Sequence, residues 1–259
     1  NLNEVIANKS NQLLGKKLPS NNPLHPNDDI NKSQSSNDSI PTAMHIATVL
    51  SIHRHLFPEI ASFKKSLKKK ISEFKGIIKI GRTHTQDATP IKISNEFLAF
   101  YDQISYAESV IKKSLNKLYE LAQGGTAVGS GINAPDSFSK KFIKYLKQET
   151  KLPFKSAPNK YESLASHDVF IEVMSGVEIL TSALFKMAND IRVLASGPRS
   201  GISEIILPAN EPGSSIMPGK INPTQCEALS MVCAHVIGLR NSVTFACTQG
   251  HFQLNVYNP

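Results

Sequence analysis

The densest chemistry in the sequence lies in Gly213-Ser214-Ser215-Ile216-Met217-Pro218-Gly219-Lys220-Ile221-Asn222-Pro223, with Glu227 a helical turn further on. Ser214 and Ser215 supply hydroxyls, Lys220 a cation and Asn222 an amide, all on a short run of backbone. Pro218, Gly219 and Pro223 keep that run out of helix and sheet interiors, so it reads as a loop. A nucleophile or base candidate, a positive charge and a polar anchor together suit a small, negatively charged substrate. Glu227 could orient a histidine and raise its basicity. It could equally be only a favourable acid in a first helical turn.

Two further polar loops precede helical patterns. Asn31-Lys32-Ser33-Gln34-Ser35-Ser36-Asn37-Asp38 offers backbone N–H groups and hydroxyls that could cradle an anion. Taken alone it reads more simply as an N-cap, because Ser, Asn and Asp are the preferred capping residues. Gly81-Arg82-Thr83-His84-Thr85-Gln86-Asp87-Ala88-Thr89-Pro90 places His84 beside Thr83 in a loop before a helix. A lone histidine is more often structural than catalytic, and the loop setting is what favours chemistry here.

Long helices must position these loops. Leu2, Val5, Ile6 and Leu13 predict a helix over 1–13, followed by a loop over 14–38 rich in Pro, Asn and Asp. That loop is long for a structureless connection, a length usually associated with function. Leu56, Ile60, Phe63, Leu67, Ile71 and Phe74 recur at spacings of three and four, predicting one helix over 41–74 with Pro41 in its first turn. Pro58 predicts a kink or break within it. Residues 76–90 read as a loop, with Ile77, Ile78 and Ile80 as a possible short strand. A second helix is expected over 94–123, closed by Gly124-Gly125. The glycine-rich stretch 124–135 lacks a Gly-Lys-Ser/Thr ending and a strand–helix–strand setting, so it reads as a tight crossing between helices rather than a phosphate loop. Further helices are expected over 136–149, 162–195 and 224–248, with 198–223 irregular. These elements describe an all-α fold, a bundle of long helices whose near-heptad rhythm invites helices from neighbouring subunits.

The 259-residue chain is 40% hydrophobic, which permits a substantial core and speaks against wholesale disorder. The formal charge is +8. Its lysine clusters, Lys64 to Lys70 and Lys112 to Lys117, lie opposite apolar positions and read as solvated helix faces. No aromatic interleaving accompanies them, so no nucleic-acid partner is expected. Cys226, Cys233 and Cys247 lack metal-type spacing, and their odd number fits a reducing compartment. A cytoplasmic location is expected, with a mitochondrial one left open because the chain opens at Asn1 rather than at an initiator Met. No run reads as a membrane span and no signal peptide is visible, so no membrane partner is expected.

Together the three loops resemble one family. Gly-Ser-Ser-Ile-Met-Pro-Gly-Lys-Ile-Asn-Pro (213–223) matches the signature of the fumarase/aspartase superfamily. Within it, Thr-Gln-Cys-Glu-Ala (224–228), Gly-Arg-Thr-His (81–84) and His-Pro-Asn-Asp-Asp-Ile-Asn-Lys-Ser-Gln-Ser-Ser-Asn-Asp (25–38) are similar to class II fumarases. Aspartases usually carry Gln at the position of His84. A non-enzymatic oligomerisation core is the other reading.

The resemblance implies a homotetramer built on a helical core, with each active site assembled from loops of three subunits. It implies reversible hydration of fumarate to malate, a tricarboxylic acid cycle step, by anti-elimination through an aci-carboxylate and without cofactor or metal. Ser214 would remove the C3 proton, and His84 paired with Glu227 would handle the water at C2. Ser35, Ser36, Asn37, Thr83, Lys220 and Asn222 would bind the carboxylates. An accessory carboxylate site is implied at His25, Asn27 and Asp28, although Asn22 stands where some members have a basic residue. Residues 1–259 would form the central helical domain, with N-terminal and C-terminal domains of the full-length family lying outside it.

Overall fold

The computed structural model describes residues 1–213 and 215–257. In chain order its elements are α1 (Leu2–Leu13), α2 (Ser36–Ser51), α3 (Phe57–Glu73), β1 (Ile78–Thr83), β2 (Gln86–Lys92), α4 (Ile93–Leu118), β3 (Glu120–Leu121), α5 (Phe138–Thr150), β4 (Lys155–Ser156), α6 (Lys160–Ala165), α7 (Asp168–Leu194), α8 (Thr224–Cys247), β5 (Gly250–His251) and β6 (Leu254–Asn255). The all-α class stands, since the three strand pairs are all small. The chain divides into two compact units: Asn1–Leu50, Asn116–Asp168 and Ala246–Pro259 form the first, and Ser51–Leu115 with Val169–Phe245 the second.

In the first unit, α2 starts at Ser36, so Pro41 lies inside the helix rather than in a first turn as expected. The start is set by a capping box. Ser35 Oγ accepts from the Asn37 N–H at 3.1 Å, and the Ser35 N–H donates to Asp38 Oδ1 at 3.0 Å. The other oxygen of Asp38, Oδ2, accepts from the N–H groups of Gly124 at 2.9 Å and Thr126 at 2.8 Å. Asp38 is fully buried. The glycine-rich stretch therefore wraps a buried carboxylate rather than serving as a crossing between helices. Gly129, at φ +102°, lies where a Cβ would fall 2.8 Å from the Tyr161 backbone.

Asn11 organises the long loop in the same manner. Its Nδ2 donates to Ser20 O and Leu24 O, and its Oδ1 accepts from the Leu24 N–H. The loop after α1 is thereby satisfied from within the helix. Helix α4 ends at Leu118, short of the expected 123, because Glu120 and Leu121 pair in parallel with Lys155 and Ser156. Gly124-Gly125 is thus not its cap. Buried Leu118, Leu121, Phe154 and Leu164 form the apolar centre here, with Tyr119 edge-on to Phe154. His45 is buried beside them and its Nδ1–H donates to Leu118 O at 3.0 Å. Burial, ahead of any other cause, lowers its pKa to about 4.

In the second unit, the single helix expected over 41–74 is completed by α3 after a π-helical turn at Ile52–Leu56. The Phe57 N–H reaches back five residues to Ile52 O, so the widened turn arrives just before Pro58, whose missing N–H then falls at the start of α3. Ile60 and Leu67 of α3 are buried, as are Phe97, Phe100, Ile104 and Ile111 of α4 and Val173, Leu180 and Met187 of α7. A Cβ on Gly176 would lie 2.8 Å from Ile111 Cγ1, so the glycine lets α7 approach α4 closely. The lysine clusters lie mostly on exposed faces, as expected, with Lys64 and Lys117 half-buried. Lys64 pairs with Glu108 at 2.8 Å and lies over the Tyr101 ring, while Lys112 pairs with the same carboxylate and covers Phe57. Residues 76–90 were expected to be a loop with a possible short strand at Ile77, Ile78 and Ile80; Ile78 and Ile80 are part of β1, and β1 pairs with β2 in an antiparallel hairpin.

Helix α8 corrects another expectation. By length and composition it is apolar enough to cross a membrane, where no such run was read. Its apolar residues are distributed around the helix instead of along one stripe, a pattern that belongs to a helix covered on all sides. Within this chain only Cys233 of α8 is buried, while Met231, Val232, Leu239 and Phe245 are exposed.

Two measurements check this account of the first unit. Asp38→Ala removes both carboxylate acceptors and leaves the N–H groups of Ser35, Gly124 and Thr126, the last of them buried, without that partner, so urea denaturation should show a loss of about 3–5 kcal/mol. The unfolded chain takes up a proton on His45 near pH ~6.5, and the folded chain only near pH 4. Between those values the unfolded state holds more protons, so acid destabilises the fold, by up to about 3 kcal/mol from this residue. That contribution should be intact above pH ~6.5 and should disappear from the pH–stability curve in His45→Gln.

Candidate active site

The loop with the densest chemistry is built on two local devices in the second unit. Met217-Pro218-Gly219-Lys220 is a tight turn: the Lys220 N–H donates to Met217 O at 3.2 Å and Gly219 has φ +80°. Proline at the second position and a positive-φ glycine at the third are what a type II turn requires. Thr224 Oγ1, at the start of α8, donates to Glu211 Oε1 at 2.8 Å and closes the loop at its base. Ser214, the expected base, belongs to the span between those two residues but lies outside the described residues.

Lys220 and Asn222 border a cleft of about 1200 Å³ that is also lined by Arg192, Ser196 and Arg199. Its described lining carries three cations and no carboxylate. Such a cleft attracts anions. Arg192 Nη1 donates to Asn189 Oδ1, and its Nη2 stands 3.7 Å from Glu227 Oε1. Glu227 is therefore in the first turn of α8 and ion-paired with Arg192. Among the described residues no hydrogen bond or ion pair joins it to His84.

His84 occupies the tip of the β1–β2 hairpin, not the N-terminus of α4 as its loop suggested. His84 (φ +53°) and Thr85 (φ +62°) are both left-handed, the geometry of a two-residue type I′ turn. Such turns favour Asn-Gly, and a β-branched threonine at positive φ is strained, which marks the tip as a place where side-chain identity outweighs ease of turning. Thr83 and His84 are exposed.

The remaining expected residues lie in the first unit. Ser35, Ser36 and Asn37 stand at the start of α2. The Ser35 hydroxyl is occupied by the cap, and Asn37 Nδ2 donates to Ala127 O at 2.8 Å, while Ser36 is exposed. Asn27 and Asp28 lie in a π-helical turn at Pro26–Ile30, and His25 is its N-cap. His25 Nδ1 lies 3.3 Å from the N–H groups of Asn27 and Asp28 and 3.2 Å from Asp28 Oδ2. As an acceptor it caps the turn; protonated, it would pair with Asp28 instead.

The sequence model of a family described as lyase matches residues 1–238. The chain belongs to the lyase family. This lyase is 55% identical over all 259 residues to fumarate hydratase class II 2 of Bradyrhizobium diazoefficiens and covers 55% of that protein. It is 54% identical, again over its whole length, to the mitochondrial fumarate hydratase of Schizosaccharomyces pombe, of which it covers 50%. The crystal structure of a recombinant class II fumarase from Schistosoma mansoni superposes with a TM-score of 0.96 at 40% identity, over 99% of this chain and 57% of that one. The likeness to class II fumarases read from the three loops agrees with these matches. The chain spans about half the length of the curated relatives it matches.

Sequence reasoning missed three residues of this lyase that matter to the loops. Asp38 completes a Ser-x-x-Asp capping pattern; the stretch was read as an N-cap, but not the second link by which Asp38 also holds the glycine-rich loop. Arg192 was absorbed into the end of the helix expected over 162–195, and Arg199, just after the Gly197-Pro198 break, into the irregular stretch that follows. Nothing in their spacing tied them to Lys220.

Proposed function

We propose that this lyase is the central part of a class II fumarate hydratase, and that the assembled enzyme interconverts malate and fumarate in the tricarboxylic acid cycle by anti-elimination of water. The observation that carries the reading is the three-cation cleft beside Lys220 and Asn222, in a chain that matches proteins named fumarate hydratase from end to end. In this reading Ser214 takes the C3 proton of malate. The proton α to a carboxylate is weakly acidic, and its loss leaves an aci-carboxylate with added negative charge. Lys220, Asn222 and loop N–H groups stabilise that charge, each well-placed donor contributing on the order of 3–4 kcal/mol. His84, paired with Glu227, manages the water leaving C2. Thr83 and the Ser35–Asn37 start of α2 hold the carboxylates.

The reading includes a homotetramer in which each site takes loops from three copies. The exposed apolar surface of α8 supports it, since a helix apolar on all sides needs partners. A partner copy would also supply the His84 to which Glu227 is not joined among the described residues of one chain. The second carboxylate site at His25, Asn27 and Asp28 is retained as an accessory site, and residues 1–259 as one central domain. The free cysteines suit a reducing compartment, the cytoplasm in this reading with a mitochondrial location left open.

Ultraviolet absorbance of the fumarate double bond, followed with malate and separately with aspartate, tests the reaction. Turnover of malate alone is expected; turnover of aspartate alone sinks the reading. Ser214→Ala should abolish malate turnover with the assembly intact. His84→Asn should lower kcat by about a hundredfold to ten-thousandfold, and a loss of only a few-fold would remove His84 from acid–base chemistry.

A further inference from the structure

The β1–β2 hairpin has little to hold it. Two-stranded ribbons are marginal on their own, and here only Gly81 is buried while β2 is almost entirely exposed. Its tip carries two non-glycine residues at positive φ. Yet the hairpin is tied down at one point by charge. Arg82 Nη2 donates to Glu204 Oε1 at 2.6 Å, and Lys79 Nζ lies 2.9 Å from Glu204 Oε2. Lys79 also donates to Glu96 Oε1, in the first turn of α4, at 2.8 Å. The three side chains are well shielded, Lys79 at 6%, Glu204 at 18% and Arg82 at 22% exposure.

The backbone is shaped for this convergence. Residues three apart on a regular strand face opposite sides. Between Ile80 and Arg82 the pairing register shifts, so that Ala88 and Thr89 together oppose Gly81. A Cβ at Gly81 would come within 2.8 Å of Thr89 O, which is why glycine stands at the bulge. The bulge twists the ribbon, and Lys79 and Arg82 meet on one carboxylate. Glu204 is itself fixed: its N–H donates to Leu194 O at the end of α7, and the Ser203 N–H donates to Ser196 O. The Arg82 hydrogen bond, ahead of other causes, holds the Glu204 carboxyl below the usual carboxylate range, so it is charged at neutral pH.

We propose that Glu204 is a positioning residue, its carboxylate clamping Lys79 and Arg82 so that the hairpin presents Thr83 and His84 at a fixed place to substrate. The inference rests on the fumarate hydratase reading for what His84 does, but not for what holds the hairpin. Shielded ion pairs are weak sources of stability and are better understood as devices that specify geometry. Arg82 is adjacent to Thr83 and two residues from His84, so the clamp acts close to the tip.

The test is Glu204→Gln in the assembled enzyme, which keeps the shape and removes the charge. Amide hydrogen exchange over residues 78–92 should accelerate about tenfold or more, with the middles of α4 and α7 unchanged. In the same protein kcat for malate per folded chain should fall about tenfold to a hundredfold, with KM within about threefold. A purely structural role would lower thermal stability and leave kcat per folded chain alone. Either readout staying at the parent value overturns the proposal. If Glu204→Gln does not fold, Glu204→Asp, shorter by one methylene, is read in the same two ways. If the parent itself turns over no malate, the hydratase reading fails, and the exchange measurement alone decides whether Glu204 holds the hairpin.

Discussion

The first unit depends on one carboxylate that water does not reach. Asp38 Oδ1 closes the capping box at the start of α2, and Oδ2 gathers the Gly124 and Thr126 N–H groups from a loop far along the chain. A local rule of helix starts and a long-range tertiary link are thereby satisfied by the same side chain. Agreement between levels of this sort is what makes a fold specific. The arrangement also decides what the residues around α2 can do. With the cap supplied internally by Ser35 and Asp38, the outward-facing Ser36 is left to meet something else.

Helices were legible where apolar residues keep a helical period over many turns. α3 and α4 follow from Ile60, Leu67, Phe97, Ile104 and Ile111, and their approximate extents come from that pattern. Their ends did not, because ends are set by partners remote in sequence. Leu118 ends α4 because Glu120 and Leu121 pair with Lys155 and Ser156, a pairing no local signal announces. Proline warned of irregularity at Pro58 without saying that a π-helical turn would absorb it.

The chemistry was more legible than the geometry. Lys220, Asn222 and their turn could be read from Pro218-Gly219, since that dipeptide carries its own conformational instruction. The hairpin under His84 was legible only in its first strand, at Ile78 and Ile80, because His-Thr is an unusual pair for a two-residue turn and β2 is largely polar. The cleft cations Arg192 and Arg199 were hidden for a different reason. They join Lys220 only through the path of the chain after α7, and a side chain's companions across a loop leave no periodic trace.

The exposed surface of α8 bears on how firmly this lyase holds its shape. If that surface is covered only by other protein, the folded form is favoured by whatever binds it, in proportion to the logarithm of that binder's concentration. Its melting temperature would then be no fixed constant of the sequence but would climb as the solution is made more concentrated. Dilution would act as a denaturant, and α8 would be the first helix to register it.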